Sequence, residues 1–140
     1  MTAKEFLKQY EYAVQRARKL REQYQTELLQ IDAIGSTLSG DGQPHGNGIS
    51  RKTEDKAIKL AEAAKKWKEA EADALEIRDD VFSMIVDIPG IEGEVLYERY
   101  IHLRTWESIA DVLHYSYNGI YYVHKRALEI VEKRLSKENG

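Results

Sequence analysis

Apolar residues recur at steps of three and four along two long stretches of the chain. In the first, about residues 3–34, they are Phe6, Tyr10, Ala13, Ala17, Leu20, Tyr24, Leu28 and Ile31. That spacing follows one face of an α-helix and predicts a helix about 45 Å long. In the second, about residues 52–87, Leu60, Ala64, Trp67, Ala74, Ile77, Val81, Ile85 and Ile88 repeat the pattern. Charged residues such as Lys65-Lys66 and Lys68-Glu69 fill the opposite side. Neither stripe can be buried alone, so the two helices are expected to pair as an antiparallel hairpin. The connection, residues 35–50, holds Gly35, Gly40, Gly42, Gly46, Gly48 and Pro44, residues that punctuate regular structure. Leu7, Leu29 and Ala57 fall off the main stripes and suggest a surface for self-association.

The texture changes after Asp87-Ile88-Pro89-Gly90. Short apolar clusters there predict three helices, about 91–103, 105–113 and 117–136, with turns at Arg104-Thr105 and His114-Tyr115-Ser116. Thr105 is placed to cap the middle helix, with Glu107 in its first turn, and Ser116 to cap the last. His114 stands where a left-handed residue would close the turn. The expected fold is therefore all-α, a helical hairpin over 1–88 followed by a three-helix module over 89–140.

Short helix, tight turn and longer helix form a helix-turn-helix pattern. Trp106, Ile109 and Leu113 would be the buried stripe of its supporting helix, with Ala110 small enough for a close crossing. Ile120, Val123 and Ala127 would bury one side of the second helix, and Tyr115 is expected in the core. Tyr117, Asn118, Tyr121, Tyr122 and Lys125 then face outward with Arg126 beside them, as residues of a recognition helix face a major groove. Ser116 belongs to the same candidate surface. Arg104, Lys125 and Arg126 suit phosphates, and Asn118 and Tyr121 suit base edges.

The stretch from Val95-Leu96-Tyr97 through Trp106, Ile109-Ala110, Tyr115-Ser116 and Arg126-Ala127-Leu128 resembles region 4 of sigma-70-type factors. The whole layout is also similar to the ArpU-type phage transcriptional regulators of Gram-positive bacteria. The residues that carry this second likeness are the loop Leu38-Ser39-Gly40-Asp41-Gly42-Gln43-Pro44-His45-Gly46 and the set Tyr115-Ser116, Tyr121, His124 and Arg126-Ala127-Leu128. The resemblance implies a phage or prophage regulator of transcription, acting in the cytoplasm of a bacterial host. Positions 117 and 118, often basic in such modules, hold Tyr117 and Asn118, and Gly119 follows.

Charge and composition narrow the chemistry. The 140 residues carry 21 Lys and Arg against 24 Asp and Glu, a net charge of −3, which excludes a histone-like nucleic-acid coat. With no cysteine, disulfides, zinc-cysteine sites, iron–sulfur clusters and thiol catalysis are excluded. No apolar run reaches the roughly 20 residues of a membrane span, and Met1-Thr2-Ala3-Lys4 does not open a secretion leader, so no membrane partner is expected. His102, His114 and His124 lack metal-ligand spacing, and Ser39, Asp41 and His45 lie on a glycine-rich connection, so neither a metal, a cofactor nor an enzyme is expected.

From residue 94 to 140, Lys and Arg balance Asp and Glu at seven each. Duplex affinity rests on phosphate neutralisation, so a monomer would bind weakly. A homodimer, or RNA polymerase as partner, would raise the affinity. Two functions remain: a regulator that reads double-stranded DNA, or an adaptor that uses the same module to bind RNA polymerase or a host regulatory protein.

Overall fold

The computed structural model describes residues 1–39 and 50–139. They form five helices: α1 (Ala3–Ser39), α2 (Ser50–Ile85), α3 (Gly90–Tyr100), α4 (Trp106–Leu113) and α5 (Tyr117–Asn139). The protein is all-helical over the described residues, and none of these helices is long and apolar enough to cross a membrane.

Helix α1 runs five residues past its expected end at 34, through Gly35. One interior glycine costs a helix only about 1 kcal/mol, and no proline stands before Pro44 to stop it. The rest of the expected connection, 40–49, lies outside the described residues. In contrast, α3 stops at Tyr100, short of residue 103. Leu103 takes a left-handed φ of 56°, and the Arg104 N–H turns back to the Glu98 carbonyl at 3.0 Å.

Two compact units divide the chain at other points than residue 88: one is 14–73, the other 1–13 with 74–140. In the first, Tyr24 of α1 stacks on Trp67 of α2, centroids 5.3 Å apart and planes 27° from parallel. Ala17, Ala63 and Ala70 are buried, small residues where paired helices come close. Within this unit the stripe of α1 departs from expectation at one place. Glu27 is half-buried and Leu28 is exposed, because the inward positions 17, 20, 24, 27 and 31 alternate steps of three and four. Paired helices hold a strict 3.5-residue period, so the seam passes through whatever occupies 27. Glu27 Oε1 accepts a hydrogen bond from Gln23 Nε2 at 2.9 Å.

In the second unit the first turns of α1 and the last turns of α2 join α3 and α5 around one core. Its members include Leu7, Val81, Ile85, Leu96, Tyr100, Ala127 and Val131. Leu7, expected on a self-associating surface, is fully buried here. It lies four residues after Ala3 on α1, and both side chains belong to this core. Leu29 and Ala57 remain exposed. Two bonds fasten the chain ends: Ala3 N–H donates to Glu132 Oε1 at 2.6 Å, and Arg134 donates to the Met84 carbonyl at 3.0 Å. Gly93 admits no side chain, since a Cβ there would lie 1.9 Å from the Ile88 carbonyl oxygen.

A smaller cluster of Val95, Ile109, Ala110, Ile120 and Val123 packs α4 against α3 and α5, with Trp106 and Leu113 at its edge. Thr105 caps α4 by accepting the Ser108 N–H at 3.2 Å. His114 closes it in the left-handed region, φ 60° and ψ 43°. Tyr115 is 43% exposed rather than in the core. Its backbone N–H follows the left-handed turn to the Ala110 carbonyl, and the ring stays at the surface.

The difference between Leu7 and Leu29 is measurable. Leu7→Ala should cost about 2–5 kcal/mol in urea unfolding, and Leu29→Ala less than about 0.5 kcal/mol. Equal effects would contradict the placement of Leu7 in the core.

Candidate nucleic-acid interface

Helix α5 has two sides because Ile120, Val123 and Ala127, three and four residues apart, are buried. Residues on the opposite side of the helix must point away. Tyr117, Tyr121 and Tyr122 are 60%, 59% and 60% exposed, and Asn118 and Lys125 are exposed beside them. Tyr121 and Tyr122 meet edge to face at 5.4 Å. Ser116 Oγ accepts the Gly119 N–H at 3.0 Å, capping α5, and a Cβ on Gly119 would crowd that oxygen at 3.1 Å. A glycine that loosens the helix interior thus keeps its first turn uncluttered.

The three candidate phosphate-binding cations differ in their surroundings. Arg104 precedes α4 and pairs with Glu98, and it also donates to Ser108 Oγ at 3.3 Å. Arg126 pairs with Glu92 of α3 at 3.2 Å. Lys125 is exposed and makes no ion pair among the described residues. Two of the three charges are therefore partly neutralised by α3.

Glu98 holds the α3–α4 connection together. Burial pushes its carboxyl up, but hydrogen bonds from His102, at 3.0 Å, and Arg104, together with their charges, outweigh this and hold it below the ordinary 4.5. Arg99 adds a bond to the Arg104 carbonyl at 2.8 Å and lies over the Trp106 ring at 5.1 Å. Glu98 escaped the sequence reading because, with Arg99, it reads as a solvated charge between the apolar pairs Val95-Leu96 and Tyr100-Ile101.

His124 is the second such residue: the sequence marks it as part of the resemblance but not as a buried residue. It lies four residues after Ile120 on α5, on the buried side, and is itself buried. Its Nε2 and the Tyr100 hydroxyl are 2.7 Å apart, and Trp106 meets its ring edge to face at 4.4 Å. Burial, with the charges of Lys4 and Arg99, pushes the imidazole down to about 4. Burial likewise pushes the Tyr100 hydroxyl up to about 12. The ring is neutral and the phenol protonated at neutral pH. If Nε2 carried the proton, the buried Tyr100 hydroxyl would have no acceptor among the described hydrogen bonds, so Tyr100 is the donor and Nδ1 carries the ring proton. Its four-residue spacing from Ile120 was the available signal.

No group of three or more His, Cys, Asp or Glu among the described residues is arranged to hold a metal ion. In comparisons with known proteins, no family model, no curated protein and no solved structure matches this chain.

His124 and Glu98 set the acid sensitivity of this unit. Unfolded, His124 protonates near 6.5; folded, it resists down to about 4. The unfolded chain binds more protons between those values, so stability falls as pH drops across that window. Glu98, lowered from 4.5, adds a further loss below that pH as its carboxylate protonates. Urea midpoints measured from pH 7 to 3 should show both phases. His124→Gln should flatten the upper phase and Glu98→Gln the lower; an unchanged upper slope in His124→Gln would contradict a buried neutral imidazole.

Proposed function

We propose that this chain is a transcription regulator of phage or prophage type that reads double-stranded DNA through α5. In this reading α1 and α2 form the hairpin expected from the sequence, and α3 to α5 form a sigma-region-4-like helix-turn-helix module. The observation that carries it is the division of α5: Ile120, Val123 and Ala127 are held against α3 and α4, while Tyr117, Asn118, Tyr121, Tyr122 and Lys125 are left to solvent. The cap at Thr105 and the left-handed turn at His114 support it, since a recognition helix needs a short, well-defined supporting helix before it. Asn118 and Tyr121 meet base edges, Lys125 meets phosphate, and Arg104, Ser116, Tyr122 and Arg126 border the footprint. The hairpin supplies dimerisation or contact with RNA polymerase. No enzymatic reaction is assigned to the chain.

A second reading is favoured by the charges. Arg104 and Arg126 are engaged by Glu98 and Glu92, and the exposed face is rich in tyrosine, a residue enriched in protein interfaces. An adaptor that binds RNA polymerase or a host regulatory protein through α5 would need fewer free cations than a DNA reader.

Binding to duplexes from the chain's own genomic neighbourhood at about 50 and 200 mM salt separates the two. A DNA reader shows selective binding that weakens steeply with salt. Lys125→Ala then lowers the salt slope by about one, and Asn118→Ala costs about 1–3 kcal/mol of discrimination. No selective binding at the lower salt would overturn DNA reading and leave the adaptor.

A further inference from the structure

A cavity of about 200 Å³ opens at the start of α5, lined by Lys4, Trp106, Tyr117, Ile120, Tyr121 and His124. Its walls are mainly aromatic and aliphatic. A closed apolar cavity of roughly 150 Å³ holds a benzene molecule, so this one has room for a single ring with one small substituent. Besides the Trp106 indole and the Tyr117 and Tyr121 hydroxyls, two nitrogen-bearing side chains stand on its lining. Lys4 is an exposed ammonium, close enough to depress the His124 imidazole. His124 is nine-tenths buried, and with Nε2 given to Tyr100, its Nδ1–H has no partner among the described hydrogen bonds.

A ring N–H without a protein partner, open to the cavity, and a nearby cation both suit an acceptor carrying negative charge. A cationic guest would meet the Lys4 charge, and a purely apolar guest would leave the imidazole N–H unpaired. We infer that this cavity is a binding site for a small monocyclic aromatic carboxylate, its ring against Trp106, Tyr117 and Tyr121 and its carboxylate toward Lys4 and His124. Tyr117 and Tyr121 belong to both the cavity wall and the outer face of α5. A bound guest therefore fixes two side chains of the proposed reading surface. That consequence alone rests on the DNA reading; the site itself does not.

The test is amide and indole NMR of the full chain titrated with benzoate, with benzyl alcohol and acetate as controls. Benzoate is expected to shift the Trp106 indole and the 117–124 amides saturably, near millimolar affinity. Benzyl alcohol should bind several-fold more weakly, and acetate should leave these signals in place. Lys4→Met, at an exposed position, should weaken benzoate binding about three- to fivefold more than benzyl alcohol binding. Tyr121→Ala, which removes an exposed part of the wall, should weaken both. Absence of saturable shifts, or equal affinity for benzoate and benzyl alcohol in the unaltered chain, would overturn the assignment. These titrations contain no DNA, so failure to read DNA and failure of the cavity to bind benzoate give separate results.

Discussion

The hydrogen bond between Tyr100 and His124 is made where water cannot replace it, and three helices are arranged around it. Tyr100 ends α3, His124 lies in the second turn of α5, and Trp106 at the start of α4 packs against the imidazole. A buried polar pair has one low-energy geometry, whereas aliphatic contacts tolerate small slips. The pair therefore sets the rotation of α5 about its own axis. Once His124 points inward, Ile120, Val123 and Ala127 must follow, and the three tyrosines and Lys125 must point outward. A rotation by one residue would leave Tyr100 without its partner and bring a tyrosine against Val95.

Electrostatics pull in the other direction. Glu98 and Glu92 on α3 engage Arg104 and Arg126, which stiffens the joint between α3 and its neighbours but dilutes the positive field of the module. A duplex approaching α5 would have to compete with these carboxylates for both guanidinium groups. Exposed ion pairs are worth little in water, so phosphate competes well for Arg126. Arg104 is different, because its partner is buried and also holds His102. On the proposed reading, affinity then comes from Lys125, Arg126 and the tyrosine hydroxyls, and from a second copy or polymerase.

Much of this architecture was legible in the sequence because periodic burial leaves a periodic pattern. The boundaries of α4, the Thr105 and Ser116 caps, the left-handed His114 and the two faces of α5 follow from side-chain spacing and turn chemistry. What was not legible depends on tertiary context. Leu7 reads as a stray apolar residue until the ends of α1 and α2 are seen to share a core with α3 and α5. Glu27 occupies a seam position that a hydrophobicity count assigns to Leu28. Glu98 and His124 are polar residues on buried faces, and only their partners, Arg104, His102 and Tyr100, explain why they are tolerated there. Tyr115 reads as core from its aromatic ring, although the left-handed turn before it sends that ring to the surface.

On the proposed reading, the outer face of α5 is the surface that meets DNA. The most direct measurement selects a duplex from a random pool with the full chain and maps amide shifts on adding that duplex. An interface on α5 predicts that the largest shifts fall within residues 116–126, including the Asn118 side-chain amide, and disappear at high salt. A selected duplex whose shifts avoid α5, or a pool from which nothing is enriched, would contradict it.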